Sequence, residues 1–153
     1  MMARMHIHIA VDDLDANIRF YSALFGSAPN VTKTDYAKWE LADPAVNFAI
    51  SNRGRAPGLD HVGIQADTDE GLETLRARLE AADIGGAEQQ AAACCYARSD
   101  KYWVQDPQGI AWETFHTLES IPTFGDGGEP ALPERRGADD ACCLPVIPVQ
   151  FTR

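Results

Sequence analysis

Basic side chains are scarce in this sequence: 13 Lys and Arg stand against 23 Asp and Glu, a formal charge of -10. A surface that grips nucleic acid needs clustered Lys and Arg, so DNA and RNA are excluded as partners. Long apolar runs are missing too. No stretch approaches the roughly 18 apolar residues of a membrane span, and the opening Met1-Met2-Ala3-Arg4-Met5-His6 has no apolar run of the signal-peptide kind. The expectation is a cytoplasmic protein with no membrane partner. Cysteine is sparse and oddly placed, in two adjacent pairs, Cys94-Cys95 and Cys142-Cys143. Neighbouring Cα atoms lie about 3.8 Å apart, below the roughly 4.4–6.8 Å of ordinary disulfides, so each pair resists closing on itself. The pattern does not suit a secreted disulfide framework. It suits free thiols, either open to a soft metal or metalloid or inert.

What is present fits one domain, since 153 residues can bury a core without staples. Met5 to Val11 reads as a strand running into Asp12-Asp13, a helix N-cap. Leu14, Ile18, Tyr21 and Phe25 then form one helical face that stops at Gly26. Strands at Tyr36 to Leu41 and Val46 to Ile50 flank a turn at Asp43-Pro44. The order returns after the linker Arg53-Gly54-Arg55-Ala56-Pro57-Gly58. Leu59 to Ala66 is a strand, Asp67-Thr68-Asp69-Glu70 a capping box, and Leu72, Leu75 and Leu79 a buried helical stripe. Further strands are expected near Ala92 to Arg98, at Lys101 to Gln105 and at Ile110 to Phe115.

Two βαβββ modules, about 4–52 and 58–117, therefore share a single domain over 1–117. The fold class is α+β, a mixed sheet enclosing a half-open cleft. His6-Ile-His-Ile aligns with His61-Val-Gly-Ile, and Trp39 through Asp43-Pro44 with Trp103 through Asp106-Pro107, which marks an internal duplication. Residues 118–153 are expected to form an irregular tail. From His116 onward lie five of the nine prolines, several glycines and the second cysteine pair.

The duplication brings equivalent positions to one point with four corners. The first strands supply His6 and His61, the last strand supplies Glu113, and the first-module counterpart of Glu113 is Ala49, so the fourth corner lacks a ligand. Asn47 could stand in there if the alignment slips. A lone strand histidine is more often a hydrogen-bonded structural residue than a ligand, but the repeat selects all three together. Two imidazoles and one carboxylate make the facial triad of non-haem Fe(II) oxygenases, with positions left open. One Fe(II) per chain is expected, another divalent metal being an option. His8 shares the face of His6, but its counterpart is Gly63, so it reads as a supporting residue at most. His116 lies an odd number of residues from Glu113 and faces away.

The chain resembles the vicinal-oxygen-chelate superfamily, and within it the cadmium-induced protein and organoarsenical carbon-arsenic lyase family. The resemblance rests on Val11-Asp12-Asp13-Leu14 before Phe20-Tyr21 and on Gly58-Leu59-Asp60-His61. It rests also on Cys94-Cys95-Tyr96-Ala97 and on Tyr102-Trp103-Val104-Gln105-Asp106-Pro107-Gln108-Gly109 leading to Trp112-Glu113. The family can carry glutamine at the first ligand position, so His6 is a departure. The resemblance implies a dioxygenase that cleaves the carbon-arsenic bond of trivalent organoarsenicals, with the arsenical and dioxygen as small-molecule partners and a homodimer as an option.

Chemistry agrees with that implication. Trivalent methylarsenic exchanges two hydroxyls for thiolates, which Cys94 and Cys95 can supply if a bulge or loop at Ala93 to Tyr96 breaks strand alternation. Two small buried hydrophobes are the plain alternative for that pair. Tyr96, Lys101 and Tyr102 lie near the loop and could position substrate or stabilise an oxyanion, though none is designated catalytic. Two rival functions stay in view: a thiol protein that sequesters cadmium or arsenic without turnover, and a glyoxalase-like isomerase or thiol transferase, which the bare corner at Ala49 disfavours.

Overall fold

The computed structural model describes residues 3–126 and residue 130; Cys142 and Cys143 lie outside the described residues. Strand β1 (Ala3–Ala10) leads to helix α1 (Leu14–Phe25), then β2 (Val31–Thr32), β3 (Tyr36–Ala42) and β4 (Ala45–Ser51). The second module repeats this with β5 (Gly58–Ala66), α2 (Asp69–Ala81), β6 (Ala87–Cys94), β7 (Ala97–Gln105) and β8 (Ala111–Ser120). One eight-stranded sheet has the order β2-β3-β4-β1-β5-β8-β7-β6. The modules meet in antiparallel pairing of β1 with β5, while β1 pairs β4 and β5 pairs β8 in parallel. The curled, mixed α+β sheet with two helices is the architecture read from the sequence.

Local signals explain the helices. Asp13 caps α1 by accepting from Ala16 N at 2.9 Å, and Gly26 ends it in the left-handed region at φ 66. The apolar stripe of α1 then buries Trp39, Phe48 and Ile50 on one side of the sheet, and the Trp39 indole donates to Ser27 O at 3.1 Å. On α2, Thr68 accepts from Gly71 N at 3.1 Å. Gly71 occupies the place where a capping box needs Glu or Gln, so the cap is one-sided rather than the reciprocal box read from the sequence.

Two further readings are corrected. The segment Ala92 to Arg98 is not one strand, because a turn at Cys95-Tyr96 splits it between β6 and β7. The Trp39–Trp103 alignment also slips by one residue. Trp39 pairs with Phe48 and Trp103 with Glu113, whereas Val104 pairs with Trp112. The ladders make Ile7–Phe48 equivalent to Val62–Trp112 and His8–Ala49 equivalent to Gly63–Glu113. Val104 is thus the true counterpart of Trp39. Since side chains alternate across a sheet, one step puts Trp39 under α1 and Trp103 in the cleft. The same ladders retain Ala49 as the counterpart of Glu113.

Candidate metal and thiol site

The cleft face gathers the three residues that the duplication singled out. His6 Nε2 lies 3.2 Å from His61 Nε2, and Glu113 Oε2 lies 3.6 Å from the first and 3.3 Å from the second. All three are buried. The other ring nitrogens are anchored. His6 Nδ1 donates to Asn47 O at 3.1 Å, and His61 Nδ1 is 2.7 Å from Asp60 Oδ1. Both Nε2 atoms are thereby directed at one another, the arrangement by which proteins fix metal-binding imidazoles. Asn47 serves through its backbone, and its side-chain amide donates to Gln65 Oε1 at 2.9 Å.

Two neutral imidazoles facing each other in this way would oppose their lone pairs. Burial holds His6 neutral, with its pKa lowered to about 4 despite the nearby Glu113. Burial also acts against charge on His61, but the carboxylates of Asp60 and Glu113 outweigh it and raise the pKa to about 9. The Glu113 carboxyl is itself held far below its usual range: burial opposes ionisation, and Lys101 and the histidines overcome it. A proton on His61 therefore sits between the nitrogens where a cation would resolve the same conflict.

Two further cleft residues, Lys101 and His8, adjoin the cluster. Lys101 is buried and donates to Glu113 Oε1 at 2.5 Å, leaving Oε2 for the histidines. His8 is only 3 % exposed, its ring 4.8 Å from that of His61. His6, His8 and His61 each offer a ring nitrogen within 4.8 Å of the others, a group that could hold a metal ion. Alternation was the available signal: His6 and His8 share a face, as do Lys101 and Trp103.

Cys94 and Cys95 are brought together at the β6–β7 turn. Cys94 pairs with Ala97, and the two intervening residues, Cys95 and Tyr96, both have φ 59. Two positive φ values make a type I′ hairpin turn, a conformation that costs non-glycine residues roughly 1–2 kcal/mol each. The turn breaks strand alternation and sets the sulfurs 3.0 Å apart as free thiols. The hydrogen bond from Cys95, aided by Lys101, outweighs burial and lowers the Cys94 pKa to about 7, while Cys95 is pushed well up. The pair thus favours the thiolate on Cys94 and the thiol on Cys95.

Several contacts brace this turn. Tyr96 donates its hydroxyl to Asp35 at 2.5 Å, and Ile121 N donates to Tyr96 O at 2.9 Å. Phe124 packs on Tyr36 and Tyr96 beneath the Arg53 guanidinium, 3.7 Å from the ring centroid. A cavity of about 180 Å³ lies between the turn and the sheet, lined by both cysteines, His8, His61, Glu113 and Phe124 among others. A larger hollow of about 430 Å³ beside α2 is lined by Asp69, Glu70, Glu73, Glu88 and Arg76 among others. There Arg76 pairs with Glu73 and Glu88.

The family model described as Glyoxalase/Bleomycin resistance protein/Dioxygenase superfamily matches residues 4–114. The chain belongs to this superfamily. Among its relatives is the cadmium-induced protein CadI of Mycobacterium tuberculosis, 35% identical over 127 residues that cover 82% of this chain and 84% of the relative. The trivalent organoarsenical cleaving enzyme of Bacillus sp. (strain MD1) is 37% identical over 78% of this chain and 76% of its own length. Its namesake from Thermomonospora curvata is 32% identical over 94% and 90%. Among solved structures, homoprotocatechuate 2,3-dioxygenase from Arthrobacter globiformis superposes with TM-score 0.57 at 15% identity, covering 78% of this chain and 37% of that one. At that identity the superposition speaks for the superfamily fold alone.

Another solved structure of like fold is the Mn(II)-bound glyoxalase from Novosphingobium aromaticivorans, TM-score 0.55 at 20% identity over 85% of this chain and 44% of that one. The donor set here fits a divalent ion. It joins imidazole nitrogens and a carboxylate, tautomers fixed by Asn47 O and Asp60, in a buried pocket. Among the described residues no helix is long and apolar enough to cross a membrane.

Proposed function

We propose that this protein is a mononuclear Fe(II)-dependent dioxygenase that cleaves the carbon-arsenic bond of trivalent organoarsenicals such as methylarsenite. The reading is carried by one observation: a vicinal thiol pair lines the same 180 Å³ cavity as His61 and Glu113, two members of the histidine–carboxylate cluster. The organoarsenical-cleaving names of relatives at 32–37% identity support it. Methylarsenous acid plus dioxygen balances as arsenous acid plus formaldehyde, so oxygen supplies the oxidising equivalents.

His6, His61 and Glu113 would hold the iron, which when bound would supply the redox capacity to activate dioxygen. The chain's own residues do the rest. The Cys94 thiolate attacks arsenic, the As–S bond forms as one As–OH bond breaks, and the departing hydroxide takes a proton from solvent to leave as water. Cys95 follows, its proton leaving with the second hydroxide, and arsenic keeps only its carbon substituent. The turn fixes that carbon toward the cleft, which converts an encounter into an intramolecular juxtaposition. Lys101 holds the Glu113 carboxylate in place and balances its charge next to a thiolate. Trp103 and Phe124 wall the cavity against water.

Oxygen uptake tests the reading. The anaerobically Fe(II)-loaded protein should consume oxygen slowly by itself, faster with methylarsenite, and no faster with the pentavalent form, which does not make the same dithiolate complex. Uptake unaffected by the trivalent compound would reject it. The relative named cadmium-induced protein favours a second reading, sequestration of a soft metal by the thiols. That reading requires tight arsenical or Cd(II) binding with no product.

A further inference from the structure

We infer that His8 is a fourth metal-binding residue, so that the centre is a three-histidine, one-carboxylate site rather than a facial triad. The inference rests on the metal-binding part of the reading above and concerns what closes the corner at Ala49.

The sheet register gives the argument. His8–Ala49 in the first module and Gly63–Glu113 in the second are the same rung of the duplicated frame. In the second module the outer strand β8 contributes the functional side chain, and the inner strand β5 has none. Gly63 could have none, because a Cβ there would run into the Glu113 carbonyl. In the first module the assignment is reversed. The outer strand β4 offers only the Ala49 methyl, fully buried, and the inner strand β1 offers an imidazole. A ligand lost from one end of the rung is replaced from the other end.

The bonding of His8 agrees. Its Nε2 is 2.8 Å from Ser51 Oγ, while Nδ1 has no hydrogen-bond partner although it is buried. A buried polar atom without a partner costs roughly 1–3 kcal/mol. With Nε2–H donating to the Ser51 hydroxyl, Nδ1 keeps a free lone pair, the state in which imidazole ligates. Ser51 then does for His8 what Asn47 O does for His6 and Asp60 does for His61, which is to fix the tautomer. His8 also lines the cavity with the two cysteines, so a fourth ligand here leaves fewer open positions on the ion facing the thiols.

The test uses the full chain under argon. Long-range proton–nitrogen NMR of the Zn(II)-loaded protein should show three imidazoles with a metal-bound nitrogen, one of them through Nδ1. Co(II) titration should show a His8→Ala variant weakened by about tenfold or more, with its visible bands displaced, while its apo melting curve shows that it folds. If Zn(II) moves only two imidazoles, or if His8→Ala binds Co(II) with unchanged affinity and spectrum, the inference is overturned and the three-residue site stands. If the wild-type protein takes up neither ion, the metal reading falls along with it.

Discussion

The two modules share one frame and divide the work. The first concentrates apolar packing: Trp39, Phe48, Ile50 and Leu14 form a buried cluster under α1, extended by Tyr21 and Phe25. The second concentrates chemistry, with the cysteine turn, Lys101, Trp103 and Glu113 all on β6 to β8 and its connections. Its helix side is looser, for a groove of about 330 Å³ opens among Ile64, Leu75, Leu79, Val104 and Trp112. A duplicated fold can thus place stability in one copy and let the other carry strain, such as two positive φ values in succession.

Trp39→Ala and Trp112→Ala separate the two halves most sharply. Trp39 is fully buried, and its loss should cost about 3–5 kcal/mol in urea unfolding. Trp112 borders the open groove and should cost roughly 1–2 kcal/mol. Equal losses would mean that the second module is no looser than the first.

Acid titration of the apo protein compares the modules through their histidines. His6 and His8, both on β1, have pKa values lowered to about 4 and about 3. The unfolded chain therefore binds protons more readily below pH 6.5, and stability should fall as pH drops from 6.5 toward 4, on the order of 3 kcal/mol for His6 alone. His61, on β5, acts the other way. Its stabilisation is present below pH 6.5 and is lost as pH rises through about 9. Cys94, lowered to about 7, gains over the same alkaline range, and the lowered Glu113 carboxyl adds its own loss only near and below its ordinary range, so the upper part of the acid limb is the clean readout. Unchanged stability between pH 6.5 and 4 would contradict neutral, buried His6 and His8.

Gly63→Ala probes the shared rung directly. The new methyl collides with the Glu113 backbone, so a loss of about 1–3 kcal/mol is expected. Metal affinity should fall with it as the carboxylate shifts. Asp60→Asn should leave the fold intact and weaken metal binding by about 10- to 100-fold, because only the orientation and basicity of His61 change. An affinity that stays unchanged would remove Asp60 from the site.

The fold was legible in the sequence because β1 and β5 begin their modules with near-identical patterns, and because Asp13 and Gly26 punctuate α1 unambiguously. His6, His61 and Glu113 followed from that frame. Where the reading slipped, the cause was local. Trp39 and Trp103 look like one motif, but Trp39 stands five residues before Pro44 and Trp103 four before Pro107, and the one-residue difference turns them to opposite faces. The turn at Cys95-Tyr96 contains none of the Gly, Asn or Asp that usually announces positive φ, so β6 and β7 merged. His8 lies with His6 and His61 in the cleft, each offering a ring nitrogen within 4.8 Å of the others, a proximity that strand alternation gives for His6 and His8 but that the repeat, with Gly63 as the counterpart of His8, does not signal. Phe124 lies within the stretch expected to be an irregular tail, yet it walls the cavity.

The most direct test of the account is product speciation. Fe(II)-loaded protein, given methylarsenite and dioxygen, should yield arsenite and formaldehyde in equal amounts, one of each per oxygen consumed. Cys94→Ser and Cys95→Ser should each abolish this while iron stays bound. Methylarsenite that binds to the iron-loaded protein and is recovered intact after oxygen exposure would contradict the account and leave a thiol-binding protein.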